Sequence, residues 1–293
     1  MSVTVVTDSS ASLPEEAVRS LGVTVVPLNL VLGGISYRDG DLDPGELTSR
    51  SATEHVSTSS PSPGDFLKGI EDHDEGLGCL VITVSSKMSG TFEAARIASS
   101  YFDSGTVRVL DSGTAAGAQG LIVMEAAELA RSGASLDEVA ALAERVASRV
   151  HLIAALENLD HLARSGRVPG AAAWAGRSLG VRALFEFSRG RVRPRIPAIG
   201  TRAVFDRIVE AVGSGESDSS ILKAAVLHSD APERAADLRA RVASAHPGAE
   251  MFVAPFSSVM VAHTGPGLIG LAWWWDEEVE YSTASLSVAD GEF

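Results

Sequence analysis

Cys79-Leu80-Val81-Ile82-Thr83-Val84-Ser85-Ser86-Lys87-Met88-Ser89-Gly90-Thr91-Phe92-Glu93-Ala94-Ala95-Arg96-Ile97-Ala98 decides how the chain folds. An apolar β-branched run, a loop of small polar residues and a helical pattern follow one another without a break. That order belongs to a strand feeding a helix that packs back on its own sheet. Related strand ends flank it: Val3 to Thr7 leads into Thr7-Asp8-Ser9-Ser10, and Val107 to Leu110 leads into Asp111-Ser112-Gly113-Thr114. With Val23 to Leu30 these are the candidate strands of a mostly parallel sheet, and the fold class is α/β. The carboxyl ends of such strands line one crevice, so the three polar clusters converge there, where a ligand would bind. For Asp8 and Asp111 two readings stand: facing that crevice, or anchoring the turns in which Asp and Ser are ordinary residues.

Helices mark their own starts. Ser12-Leu13-Pro14-Glu15 and Ser135-Leu136-Asp137-Glu138 have the form of capping boxes, and Ser62-Pro63-Gly64-Asp65 is a looser version with proline at the first helical position. One helix is expected from about Ala115 to Ser132, ending at Gly133, and another from Leu136 to about Val150. Past His151 the pattern changes: Leu152 to Leu156 reads as a strand, and Arg164 to Arg207 is basic and rich in Gly, Ala and Arg. Ala224 to His228 and Met251 to Ala254 follow as strands, with helices expected over Ala231 to Ala245 and Gly267 to Trp275. The reading is two α/β domains, residues 1–155 and 156–293, with the ligand site between them.

The chain has 38 acidic and 24 basic residues, a net charge of −14, which repels nucleic-acid backbones and anionic headgroups. The single cysteine, Cys79, cannot form an internal disulfide, and the amino terminus reads as a strand rather than an export signal; both fit a cytoplasmic protein. Met251 to Trp275 lacks Asp, Glu, Lys and Arg and is long enough to span a bilayer. His263-Thr264-Gly265-Pro266-Gly267 breaks helix continuity at its middle, so no integral membrane association is expected. No metal constellation is visible, since Glu71-Asp72-His73-Asp74-Glu75 reads as a solvated loop.

Three segments carry candidate chemistry. Ser89-Gly90-Thr91 opens onto a helix, where hydroxyls and free amides suit either an anion, carboxylate or phosphate, or a plain N-cap. Thr58-Ser59-Ser60-Pro61-Ser62-Pro63-Gly64-Asp65-Phe66 brings further hydroxyls to a helix start. His263-Thr264-Gly265-Pro266-Gly267-Leu268-Ile269-Gly270 contains a literal G-x-G-x-x-G, but too little chain follows to supply the strands of a dinucleotide fold. His263 is then expected as a neutral or switchable donor at another helix entrance. Ser89, His263 and Asp8 or Asp111 could also form a nucleophilic triad, although no G-x-S-x-G elbow surrounds a serine. The alternative function is thus a hydrolase or transferase acting on a small acyl substrate, with Ser89 as nucleophile and His263 as base.

In order, Val5-Val6-Thr7-Asp8-Ser9-Ser10, Val26-Pro27-Leu28, Thr58 to Phe66, Ser89-Gly90-Thr91-Phe92, Val109-Leu110-Asp111-Ser112, Ser165-Gly166-Arg167-Val168 and His263-Thr264-Gly265-Pro266-Gly267 resemble the DegV family of bacterial fatty-acid-binding proteins. The resemblance covers almost the whole chain. It implies a long-chain fatty acid between two α/β domains, no other cofactor, and a binding subunit that is not itself the catalyst. The subunit presents the lipid to a separate fatty acid kinase, which makes an acyl phosphate for phospholipid synthesis. By position, Thr58, Ser89 and His263 would hold the carboxylate, supported by Ser59, Gly90, Thr91 and Thr264. Arg167 matches an arginine that faces the kinase, and Arg202 is a second basic contact. Ser60 stands where the family usually has Gln, Val181-Arg182-Ala183 replaces the common I-K-P, and Arg164-Ser165-Gly166-Arg167 replaces Lys-Gly-Gly-Arg. Leu179, Leu184, Phe185, Phe187, Ile196, Leu268, Ile269 and Trp273 to Trp275 offer suitable lining for the tail; the other reading, which holds for most of such a stripe, is ordinary core.

Overall fold

A computed structural model describes residues 2–51, 53–73, 76–157, 159–167, 181–188, 190–215 and 219–277, and the architecture below is that of these residues. The first part runs β1 (Thr4–Asp8), α1 (Glu15–Leu21), β2 (Thr24–Val26), β3 (Asn29–Leu32), β4 (Ile35–Arg38), α2 (Pro44–Arg50), β5 (Val56–Ser59), α3 (Pro63–Glu71), β6 (Cys79–Thr83), α4 (Thr91–Ser99), β7 (Val107–Asp111), α5 (Ala116–Arg131) and α6 (Leu136–Arg149). The second runs β8 (His151–Leu156), α7 (Asp160–Ser165), β9 (Val181–Ser188), β10 (Arg191–Pro194), β11 (Ala198–Ile199), α8 (Gly200–Val212), β12 (Ile221–His228), α9 (Pro232–Ala245), β13 (Glu250–Pro255), α10 (Ser258–Thr264) and β14 (Ile269–Asp276).

The first sheet is parallel in the order β2-β1-β6-β7. Its register sets Thr7 beside Ile82 and Thr83 beside Asp111, so the three polar strand ends do converge. Asp8 and Asp111 serve as anchors at that edge. Asp8 accepts from the amides of Val84, 2.8 Å, and Ser10, 3.1 Å, and from the Ser10 hydroxyl and the Gln119 side chain. Asp111 accepts from the amides of Ser86, 3.1 Å, and Gly113, 2.9 Å. Burial nevertheless pushes the Asp8 carboxyl above its usual range, with these donors opposing the rise.

The run Val23 to Leu30, expected as one strand, is two strands in two sheets. It breaks at Pro27-Leu28, after which β3 leaves the parallel sheet and pairs with β4 and β5 in a small antiparallel sheet. Proline has no N–H for a ladder, and the Leu28 N–H is taken by Ser9 Oγ at 3.0 Å. The capping boxes at Ser62 and Ser135 form as expected. The one expected at Ser12 does not: Ser12 closes a 3-10 turn, Ser9–Ala11, in the left-handed region, and α1 begins after an extended Pro14 without a side-chain cap.

The second sheet is mixed, in the order β10-β9-β8-β14-β12-β13, with β11 on β9. Its first strand in the chain is β8, so the changeover between the two sheets falls at Val150. The helix expected over Gly267 to Trp275 is instead β14, antiparallel to both β8 and β12. A short apolar run buried on both sides carries no periodicity that separates helix from strand; position at the sheet centre decides it. Ile269, Leu271 and Trp273 face one core and Ala272 and Trp274 the other. The same alternation sorts Ile153 and Ala155 from Leu152, Ala154 and Leu156 on β8, and Leu184 from Phe185 and Phe187 on β9.

One face of the second sheet is covered by α8 and α9, the other by α5. Helix α5 is buried nearly all round, touching β1 and β6 on one side and β12 and β14 on the other. Gly117 permits the close approach: a Cβ there would lie 2.6 Å from both Ala225 Cβ and Leu227 Cδ2. A buried ion pair accompanies it, Lys223 Nζ 2.8 Å from Glu125 Oε1, with Asp276 at 3.5 Å. No helix among the described residues is long and apolar enough to cross a membrane.

Candidate ligand site at the junction of the sheets

The polar residues singled out in the sequence sit on three different elements. Thr58 lies on β5, paired in register with Leu30 of β3. Ser89 lies in the loop after β6, just before α4, and its Oγ accepts the Thr91 N–H at 3.3 Å while sharing a hydrogen with the Thr91 hydroxyl at 2.8 Å. His263 is in the last turn of α10, not at a helix entrance, because the Gly-rich turn closes that helix and leads into β14. Gly265 has φ 72°, which ends the helix, and the Ser229 hydroxyl donates to its carbonyl at 2.8 Å. A histidine at a helix end and a threonine on a strand therefore replace the expected arrangement of donors at helix N-termini.

The fold closes Thr58 against His263: Oγ1 and Nε2 are 2.9 Å apart. Burial, then the nearby Arg167 guanidinium, push the imidazole down to about 4, so the ring is neutral at pH 7. A neutral ring and a hydroxyl share one hydrogen along their contact. If Nε2 donates, the Thr58 hydroxyl is free to donate to a ligand; if Thr58 donates, its oxygen is the free acceptor.

Thr58, Ser89 and His263 line one cavity of about 110 Å³, with Ser59, Arg167 and Thr264 also at its wall. Beyond this polar end the wall is apolar: Leu152, Ala154, Phe185, Phe187, Leu227 and Leu268 from the second sheet, faced by Met88, Ala115 and Ala116. Thr58, Arg167 and His263 also border a wider cavity of about 380 Å³ that carries His161, Arg164 and Ser165. The polar residues thus stand between an oily slot and a basic vestibule. Gly90 and Thr91 act behind Ser89, and the Thr264 hydroxyl donates to Met260 O at 3.0 Å, back into its own helix. Arg202, at the start of α8, is 88% exposed and lies away from the cavity. Ser89 and His263 each bond to a threonine, so the direct serine–base contact of a nucleophilic pair is not formed in this structure.

Of the expected tail lining, Phe185, Phe187 and Leu268 face the slot. Leu184, Ile269 and Trp273 point to the opposite face of the sheet, Trp274 and Trp275 lie outside the slot wall, and Ile196 is 77% exposed. Period-two alternation is the reason: neighbours on one strand cannot line one cavity. Leu179 lies outside the described residues, as do Asp74 and Glu75 of the acidic run. Among the described residues no cluster of His, Cys, Asp or Glu is set to hold a metal ion.

Asp39, in the turn after β4, belongs to none of the sequence motifs. Its carboxylate accepts from the hydroxyls of Ser9, 2.6 Å, and Ser257, 2.7 Å, and from the Val259 N–H, 3.1 Å. Ser9 lies 30 positions before it, and Ser257 and Val259, at the start of α10, more than 200 after it, so no local pattern marks it; the polar clamp exists only in the folded chain.

Comparison with known proteins bears on the same features. The model of the DegV family of uncharacterised proteins matches residues 2–275. A DegV domain-containing protein of Mycobacterium tuberculosis is 33% identical over 277 residues, covering 92% of this chain and 96% of its own. Protein DegV of Bacillus subtilis is 30% identical over 282 residues, covering 93% and 99%. Among solved structures, a DegV family protein from Thermus thermophilus, described for its fatty acid binding, is similar with a TM-score of 0.86 and 33% identity, over 94% of this chain and 99% of that one. DegV of Bacillus subtilis, described as a fatty acid binding protein, gives 0.82 and 28%, over 94% and 100%.

Proposed function

The chain belongs to the DegV family, and on that premise we propose that it binds a long-chain fatty acid in the slot at the junction of its sheets. Thr58, Ser89 and His263 hold the carboxylate, and a separate kinase phosphorylates the bound acid. The observation that carries this reading is the pairing of an apolar wall with a mouth of hydroxyls and a neutral imidazole, with the Arg167 guanidinium at its edge. Burying an ionised carboxylate without partners costs far more than binding returns, so several donors must meet it. A ~16-carbon tail at about 0.8 kcal/mol per methylene supplies on the order of 10 kcal/mol gross, reduced by several kcal/mol for ligand ordering and lost freedom. The tail sets affinity; the head sets orientation.

In this reading the first part of the chain, up to about residue 155, brings Thr58 and Ser89 to the head, and the second part adds His263 and supplies Phe185, Phe187, Leu227 and Leu268 to the tail wall. The head sits beside the basic vestibule, so Arg167 at the shared wall is the partner-facing contact; Arg202, exposed and outside both cavities, is only a second basic contact of the partner surface. No catalytic residue is assigned to this chain. The test is organic extraction of the purified protein followed by mass spectrometry. One fatty acid per chain supports the proposal; a protein free of lipid that turns over an acyl ester overturns it. Trapping acyl phosphate as a hydroxamate, with ATP and a fatty acid kinase subunit added, tests the presentation step: no hydroxamate from lipid-loaded protein removes the kinase partner.

A further inference from the structure

The cavity residues come from parts of the chain that nothing local holds together. Thr58 belongs to the small sheet, and His263 to a helix of only seven residues more than 200 positions later. Such a short helix has little stability of its own and stands where its packing puts it. Helix α10 rests on α2, α7, β3 and β5, and its first turn is tied at two points. The Ser258 hydroxyl donates to Leu42 O, and the Asp39 carboxylate receives both the Ser257 hydroxyl and the Val259 N–H.

Asp39 does more than cap. Its second oxygen also takes the Ser9 hydroxyl, and Ser9 Oγ in turn accepts the Leu28 N–H at 3.0 Å; the Asp39 N–H donates to Leu28 O at 2.8 Å. One carboxylate therefore joins the loop after β1, the point where β3 leaves the parallel sheet, the end of β4 and the start of α10. β3 carries β5, and β5 carries Thr58. The hydrogen-bonded partners of Asp39 are hydroxyls and backbone amides, a set that binds an acceptor-only carboxylate, and among the described residues no counter-ion is paired with it. Keeping a half-buried carboxylate in such a place costs free energy that a neutral residue would avoid. That cost is consistent with a role in fixing geometry.

We propose that Asp39 is a positioning residue for the ligand head, setting where α10 stands and hence whether His263 meets Thr58. This rests on the carboxylate reading of Thr58 and His263 given above. A fluorescent long-chain fatty acid serves as the probe, titrated into delipidated full-length protein. Asp39→Asn keeps an acceptor for Val259 but cannot accept from both serines, and should weaken binding about ten-fold, a loss typical of one misplaced hydrogen-bonding group. Ser257→Ala should weaken it less.

The decisive readout is the double variant. If Asp39 acts through His263, Asp39→Asn combined with His263→Ala binds no more weakly than His263→Ala alone; independent effects would multiply. In Asp39→Asn the His263 ring, followed by NMR, should also titrate closer to its ordinary 6.5 than to about 4. Wild-type affinity and an unmoved His263 titration in both Asp39→Asn and Ser257→Ala overturn the inference while leaving the carboxylate site intact, provided His263→Ala weakens binding. Multiplying effects overturn it too. If His263→Ala binds as well as wild type, the carboxylate reading itself has failed and this inference falls with it.

Discussion

The hydroxyl of Thr58 and Nε2 of His263, 205 positions apart in the chain, lie 2.9 Å from one another at the polar end of an apolar slot. The contact joins a strand of the small sheet to the end of a short helix from the other half of the chain. The ring in this contact is neutral at pH 7, because burial, and then the nearby Arg167 guanidinium, disfavour a second cation there.

That neutrality has a pH signature. The folded pKa is pushed down to about 4 from an ordinary 6.5, so between these values the unfolded chain binds a proton that the folded one refuses. Stability is full above about 6.5 and declines as pH falls towards 4, by up to about 3 kcal/mol from this group. Denaturant unfolding of wild type and His263→Gln at pH 7 and pH 5 checks this. The difference between the two proteins should shift against wild type at the lower pH; a difference that does not change with pH would mean the ring is not held neutral.

Thr58→Val removes a hydroxyl at nearly constant volume and leaves the His263 nitrogen without its partner, a loss of about 1–3 kcal/mol. Ser89→Ala removes a second wall hydroxyl and also the acceptor for the Thr91 N–H. Both variants should come through purification with less bound lipid than wild type, quantified by extraction and mass spectrometry. Unchanged lipid content in either would remove that residue from the head site.

Gly117 lets α5 lie against β12, so Gly117→Val should drive a branched side chain into Ala225 and Leu227. Overpacking of this kind costs roughly 1–3 kcal/mol. A lowered unfolding midpoint is expected, together with a weaker grip on lipid because the slot wall, Leu227 included, moves with β12. A wild-type midpoint would show that the two elements have room to separate.

Lys223 and Glu125 cross the same interface with side chains only 14% and 10% exposed. Burial pushes the Glu125 carboxyl up to about 7, and Lys223 opposes that rise. Removing one partner strands the other, so Lys223→Met should cost about 3–5 kcal/mol, whereas Glu125→Leu with Lys223→Met should recover much of the loss. A double-mutant cycle by thermal unfolding measures it; additive losses would deny the pair any coupling.

Sequence alone determined the units that repeat locally. Alternating strand and helix patterns marked the parallel sheet, and the capping boxes at Ser62 and Ser135 marked helix starts, because both signals are written in neighbouring residues. The hydroxyl segments and His263 were legible as motifs in order. Tertiary structure alone decided which side of the second sheet faces the slot, turning Phe185 and Phe187 inwards and Leu184 and Trp273 away. It decided that Gly267 to Trp275 is a strand, since a fully buried apolar run takes its form from its neighbours. It also brought Asp39 to α10 and His263 to Thr58, contacts whose partners lie so far apart in the chain that only the packed fold supplies them.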